Sequence, residues 1–517
     1  MMSHQFLFRD DKMYSTYKPM RNFAAKLNRI DSLIQVWQFF GNLDHGKLLP
    51  PQFARMNKHK RPSLKDVVHP WELDILTREI ILHSNVDRAK DLHNTGHLAA
   101  AVNIIRRVSD AQNHTDLQRT IYQELQRLFQ QQALWRTNTH LMLARHLKIY
   151  NSPELAAILE KGTTLSIKQF YVLGVSISGH FLTKYAFNIK QDYTGFGISN
   201  EQRDAFLEKM VLSFDDLKVR TVGVQEYNEN WSYTINPLVS TPLIVIDQAA
   251  PNIVICPIPF YLMYRFSEGL FFDIAQIQGY EQAYGDAFED YVYDVTNILN
   301  ARHEVMAAIK AERPEPYFIG KNEKHGVDLL VYDETGSVLI ECKAKRLILK
   351  ARYQLDDKAL NAEIDILARY VVQNYKNLED IVSGCTDWQP NGRSLFPVVV
   401  TLVNWNLFGP KVYERLEHSV LSLLEKAKIS PQVVELYPYT VMSVEEYETA
   451  LQVILQVGVK EFFSRRANEN QKGWMVMPFI QTNFPVELQG CRNDYLNFVL
   501  NDLQEEIGAG IEGLSKA

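Results

Sequence analysis

Apolar residues along this chain recur at two periods, and the changes of period mark its elements. In residues 327–332 (VDLLVY) and 337–345 (SVLIECKAK) they gather in short runs that read as strands, with DETG between them. Upstream, within 279–300, Phe288, Val292, Val295 and Leu299 fall three and four apart, the spacing of an amphipathic helix. Residues 355–378 repeat that spacing through Leu360, Ile364, Leu367, Tyr370 and Val371. LFPVVVTLVNW at 395–405 is long and β-branched enough for a fully buried strand. A helix at 412–426, a strand at 432–442 and a further helix opening at Ser443 follow. Ser443 and Glu446 have the spacing of a capping box.

Before residue 241 the pattern is different. Helical periodicity runs through 17–40, 71–83, 98–108, 115–129 and 152–160, and TPLIVIDQAAPNIVICPIP at 241–259 reads as a Pro-rich hairpin. The chain is therefore expected to be α/β. A mainly helical domain (1–240) leads through a hairpin connector (241–267) to a second domain (268–517) in which a sheet is flanked by helices.

The DETG turn constrains the first two strands of that domain. Its glycine is expected to supply the positive φ of a tight hairpin. If the turn is symmetric about Glu334 and Thr335, paired residue numbers sum to 669, because 334 + 335 = 669. Asp328 then stands opposite Glu341, with Cβ atoms roughly 4.5–5.5 Å apart. Lys343 shares their face and Cys342 points to the other. Two carboxylates this close repel unless a proton or a cation lies between them. A divalent metal is the expectation.

An Asp, a dozen residues and then Glu-x-Lys on a hairpin resembles the core of the PD-(D/E)xK nuclease superfamily, with Val327 where the motif name has Pro. The resemblance covers the C-terminal half and implies a restriction-endonuclease-like mixed sheet flanked by helices. It implies Asp328 and Glu341 as metal ligands and Lys343 as the catalytic lysine. A helix before the hairpin usually adds a Glu that touches the metal through water. Gly285, Phe288, Glu289, Tyr291 and Val292 resemble that helix, which makes Glu289 the third acid and Glu281 its reserve. Tyr370 and Gln373 are weaker candidates on the following helix. Mg²⁺ or Mn²⁺ suits such a set, since hard cations take carboxylate oxygens and keep several waters. The bound metal would lower the pKa of a water, and Lys343 would orient the nucleophile or stabilise the charge that develops. The function implied is endonucleolytic hydrolysis of DNA, with RNA left open, and the architecture resembles anti-phage defence or restriction proteins. The alternatives are a non-catalytic nucleic-acid-binding or scaffold subunit and a repair or recombination nuclease. A homodimer or a second protein subunit is the partner implied.

Charge and cysteine usage narrow the class. At 517 residues and net charge −6, any nucleic-acid surface must be local rather than global. Lys345, Arg346, Lys350 and Arg352 follow the motif closely and could meet flanking phosphates. Residues 1–70 carry 12 Lys and Arg against 5 Asp and Glu, concentrated around Lys58, Lys60 and Arg61, a second candidate patch. Four scattered cysteines form no Cys-x-x-Cys pair, so neither a zinc ribbon nor a disulfide framework is expected. His93 and His97 have the spacing of a helical metal pair, but no acidic third ligand accompanies them and they read better as a helix start. Neither a signal-peptide core nor an apolar stretch of about 18 residues is present, and a soluble cytoplasmic protein without a membrane partner is expected. No phosphate-cradling glycine loop appears, which argues against an NTP-driven motor.

Overall fold

A 23-residue helix, α1 (Tyr280–Arg302), leads into a five-stranded sheet. The computed structural model describes residues 11–56, 63–113, 117–303, 309–353, 357–407, 410–468 and 470–516; Lys58, Lys60 and Arg61 lie outside them. Strands β1 (Lys310–Glu312), β2 (Leu329–Tyr332), β3 (Gly336–Lys343), β4 (Ser394–Thr401) and β5 (Thr440–Ser443) lie side by side in chain order. The pairs β1–β2 and β2–β3 are antiparallel, whereas β3–β4 and β4–β5 are parallel. The connections explain the change. A tight turn joins β2 to β3, but the chain reaches β4 through α2 (Asp357–Val382) and β5 through α3 (Pro410–Ala427), and parallel neighbours require crossovers of that length.

Alternation along the strands builds two apolar layers. Leu329, Val331, Ile340, Cys342 and Val398 pack with α1 and with α4 (Val444–Val457). Leu330, Leu339, Leu395 and Val399 pack with α2 and α3 on the opposite face. The β2–β3 register pairs Leu329 with Ile340 and Tyr332 with Ser337, so partners sum to 669 as turn symmetry requires.

The turn itself differs from expectation. Gly336 does not have positive φ. It opens β3 where a Cβ would stand 2.9 Å from Val459 Cγ1 and 3.1 Å from Phe396 Cε2, so its smallness serves close packing. Asp333 shapes the turn instead: its Oδ1 accepts from the backbone N of Thr335 (2.7 Å) and of Gly336 (2.9 Å). The strand expected at 432–442 is also shorter. Val433–Leu436 is helical and only Thr440–Ser443 pairs with β4. Pro438, which has no N–H for a ladder, separates the two.

The N-terminal half is mainly helical, with a small sheet of its own. The helical stretch expected at 17–40 divides into Asp11–Ala24 and Arg29–His45, because the Asn28 side chain accepts from Asp31 N and caps the second helix. The hairpin expected at 241–259 is present, as Leu243–Val245 against Ile253–Ile255. It is not a free connector. It forms the inner pair of a four-stranded sheet, between Val211–Ser213 and Ala186–Asn188.

Packing does not divide at residue 268. One apolar cluster includes Leu147, Phe170, Phe266, Phe288, Ile340 and Leu451, and so belongs to both halves. A buried polar knot crosses the same seam. Arg145 Nε and Nη2 donate to Glu448 at 2.9 and 2.7 Å, and Nη1 donates to Glu445 at 3.0 Å. The hydroxyls of Tyr291 and Tyr495 also donate to Glu448, at 2.5 and 2.6 Å. Among the described residues no helix is long and apolar enough to cross a membrane.

Candidate active site

The β2–β3 ladder brings the motif residues together. The regular ladder ends at Leu329–Ile340, and Asp328 lies just outside it: its N donates to Ile340 O (3.1 Å) rather than to Glu341, so the rung-for-rung opposition expected from the turn is not formed. Asp328 Oδ2 accepts from Cys342 N at 2.7 Å, a bond that fixes the carboxylate against β3. Lys343 lies on the same face, two residues beyond Glu341. Its Nζ stands 2.9 Å from Glu341 Oε2 and 3.6 Å from Asp328 Oδ2. An ammonium thus bridges the two acids.

The electrostatics follow from burial. Glu341 is only 2% exposed. Burial, then Asp328, pushes its carboxyl up to about 7, although Lys343 and Asn377 pull it down. Burial alone would lower Lys343, but Glu341 and Asp328 outweigh it and hold the ammonium charged well above neutrality. Glu289 projects from α1 into the same field. Burial and Asp328 raise it to about 7, with Glu341 adding to the rise and Lys343 opposing it. Glu281 is exposed in the first turn of α1, roughly 12 Å along the helix from Glu289.

Helix α2 supplies a residue that sequence reasoning missed. Asn377, buried, donates through Nδ2 to Glu341 Oε1 and to Gly326 O, both at 2.7 Å. It leaves Glu341 Oε2 to Lys343. Gln373 Nε2 donates to Asn377 Oδ1 at 3.5 Å, so that candidate acts through Asn377. Tyr370 lends its ring to Lys343, whose Nζ is 5.7 Å from the ring centre.

The basic residues after the motif do not form one patch. Lys345 Nζ is 3.4 Å from Glu363. Arg346 is turned inward, 10% exposed: its guanidinium bonds Glu268 and the Tyr284 hydroxyl, each at 3.1 Å, and lies over the Phe271 ring. That overturns its expected place on a phosphate-gripping surface. Arg352 Nε donates to Gln130 Oε1 at 3.3 Å, and Lys350 lies in the short helix Leu349–Tyr353. His93 bonds Gln38 and His97 bonds the Asp91 carbonyl at the start of Thr95–Asn113, so each ring is engaged within the helical half.

Comparison with protein-family models, curated proteins and solved structures finds no match to this chain. Its chemistry must be argued from the side chains.

The donors that meet at this site are carboxylate oxygens, the type that hard divalent cations prefer. Among the described residues, no three His, Cys, Asp or Glu side chains converge as a ready-made metal cage. The Lys343 ammonium is the cation that Asp328 and Glu341 share here.

Proposed function

We propose that this chain is a metal-dependent endonuclease that hydrolyses phosphodiester bonds in DNA. The observation that carries the reading is the convergence of Asp328, just before β2, with Glu341 and Lys343 of β3, and Glu289 of α1 in their field. The order helix, hairpin, helix, strand, helix, strand supports the restriction-endonuclease-like reading of the fold.

Asp328 and Glu341 would hold a Mg²⁺ or Mn²⁺ ion, with Glu289 reaching it through water. When bound, the ion supplies Lewis-acid activation of a water and neutralises the phosphate. Asn377 orients Glu341 by occupying one of its oxygens. Lys343 keeps its proton at neutral pH, so its role is to place the nucleophile or stabilise the charge building on the phosphate, not to remove a proton.

A non-catalytic nucleic-acid-binding subunit is the second reading, favoured by the ammonium that already bridges both acids. Supercoiled plasmid and single-stranded DNA, each incubated with the protein in Mg²⁺, Mn²⁺ or EDTA, separate the two. Metal-dependent nicking or linearisation is expected, and it should disappear in D328N, E341Q and K343M. Cleavage that survives all three substitutions, or no cleavage in either metal, removes the reading.

A further inference from the structure

A broad cavity adjoins the candidate active site, although neither Asp328 nor Glu341 lines it. It has a volume of about 1640 Å³ and opens between the N-terminal helices and the end of the sheet. Leu402, in its wall, donates its backbone N to Lys343 O at 3.1 Å. Glu268, also in the wall, is held by Arg346, three residues beyond Lys343 and so within about 11 Å of it along the chain.

Size and chemistry define what fits. The volume exceeds the roughly 300–1,000 Å³ of pockets that enclose one small ligand, so a length of polymer suits it better. Phe272 and Trp474 stand 58% and 41% exposed in its wall. Arg136 and Arg220, also in the wall, are exposed, and neither forms an ion pair among the described residues. Most wall carboxylates are neutralised: Glu268 by Arg346, Glu417 by Lys472 and Glu445 by Arg145. Glu446 caps the helix that Ser443 opens, which leaves Glu414 exposed. Apart from Glu414, a ligand therefore meets rings and guanidinium groups, the combination on which unpaired bases stack while their phosphates are held. Duplex bases, closed into pairs, cannot reach rings set in a cavity wall.

We propose that this cavity holds an unpaired stretch of nucleic-acid strand and delivers it to the Asp328–Glu341 site. Its identity as substrate rests on the nuclease reading; its binding does not. The test is fluorescence anisotropy in EDTA, with a labelled oligothymidylate and a duplex of equal length. The single strand should bind more tightly. Trp474→Ala should weaken it at least about fivefold, the lower end for loss of one stacked base. Arg136→Glu with Arg220→Glu should weaken it further and flatten the salt dependence by about 0.7 in log–log slope per lost phosphate contact. All three changes are at exposed positions, and a thermal melt checks that the variants fold. Equal affinity for the duplex, or unchanged affinity in the variants, overturns the proposal, as does an oligonucleotide that does not bind; the cavity then belongs to a protein segment. An oligonucleotide that binds as described but is never cut in Mg²⁺ leaves this inference standing and removes the nuclease reading. Cutting with unaltered binding in the variants does the reverse.

Discussion

Replacing Lys343 with Met should leave a pH signature in the stability of the metal-free protein. Lys343 is the shared counter-ion of Asp328 and Glu341, at 3.6 and 2.9 Å. With it in place, Glu341 titrates near pH 7, against an ordinary value of 4.5. A carboxyl raised by folding stabilises the protein fully below its unfolded pKa, and that contribution is lost as pH climbs through the folded one. Glu289 is raised to about 7 in the same way, so wild-type stability should fall by about 1.4 kcal/mol per pH unit for each of the two acids between those values and level off above pH 7. In K343M no cation offsets Asp328 and only the Asn377 hydrogen bond remains to favour the charged form, so Glu341 keeps its proton to higher pH and the decline continues. The two curves should run parallel below pH 7 and separate above it by about 1.4 kcal/mol per unit for each acid that Lys343 had held down. The ceiling is about 3–5 kcal/mol, the cost of breaking a buried ion pair. Urea melts in EDTA at constant ionic strength, from about pH 5 to about pH 9, read this directly. Curves that stay parallel throughout, or a gap widest in acid, would refute the reasoning.

Two further outcomes test other links. Arg145→Ala strands Glu448 with two hydroxyls and no cation, and should cost about 3–5 kcal/mol in a urea melt at neutral pH; a loss under about 1 kcal/mol would mean that the seam is held by apolar packing alone. Asn377→Ala leaves Glu341 Oε1 and Gly326 O without their donor and should raise the Mg²⁺ concentration for half-maximal cleavage about 10–100-fold while costing about 1–3 kcal/mol of stability; an unchanged metal requirement would show that Asn377 does not orient Glu341.

The hairpin register could be read from the chain because a short symmetric turn and period-two alternation leave one arrangement that buries Leu330 and Leu339 together. Glu289 was accessible too, since it lies beside the apolar stripe of a helix that precedes the hairpin. Asn377 was missed, yet it left a signal. It and Asn374 sit among Val371, Tyr375 and Leu378 on the buried side of α2, where an amide needs a partner. The fate of the basic residues had no local sign. Lys345, Arg346 and Arg352 look alike in sequence, but their partners, Glu363, Glu268 and Gln130, stand 18, 78 and 222 residues away. Gly336 shows the same limit: its reason is the approach of Val459 and Phe396, not the conformation of its own turn.

The core that runs unbroken from Leu147 to Leu451 has a mechanical consequence. Two bodies joined by a slim, wet boundary can swing about a hinge, whereas a large apolar boundary suppresses such motion. Here, opening a hinge plane between the halves would expose the side chains that hold the sheet on α1 and pull Arg145 from Glu448. The chain therefore has no jaw. Any ligand of the cavity would enter without one half closing on the other, and heat should melt both halves in one cooperative step.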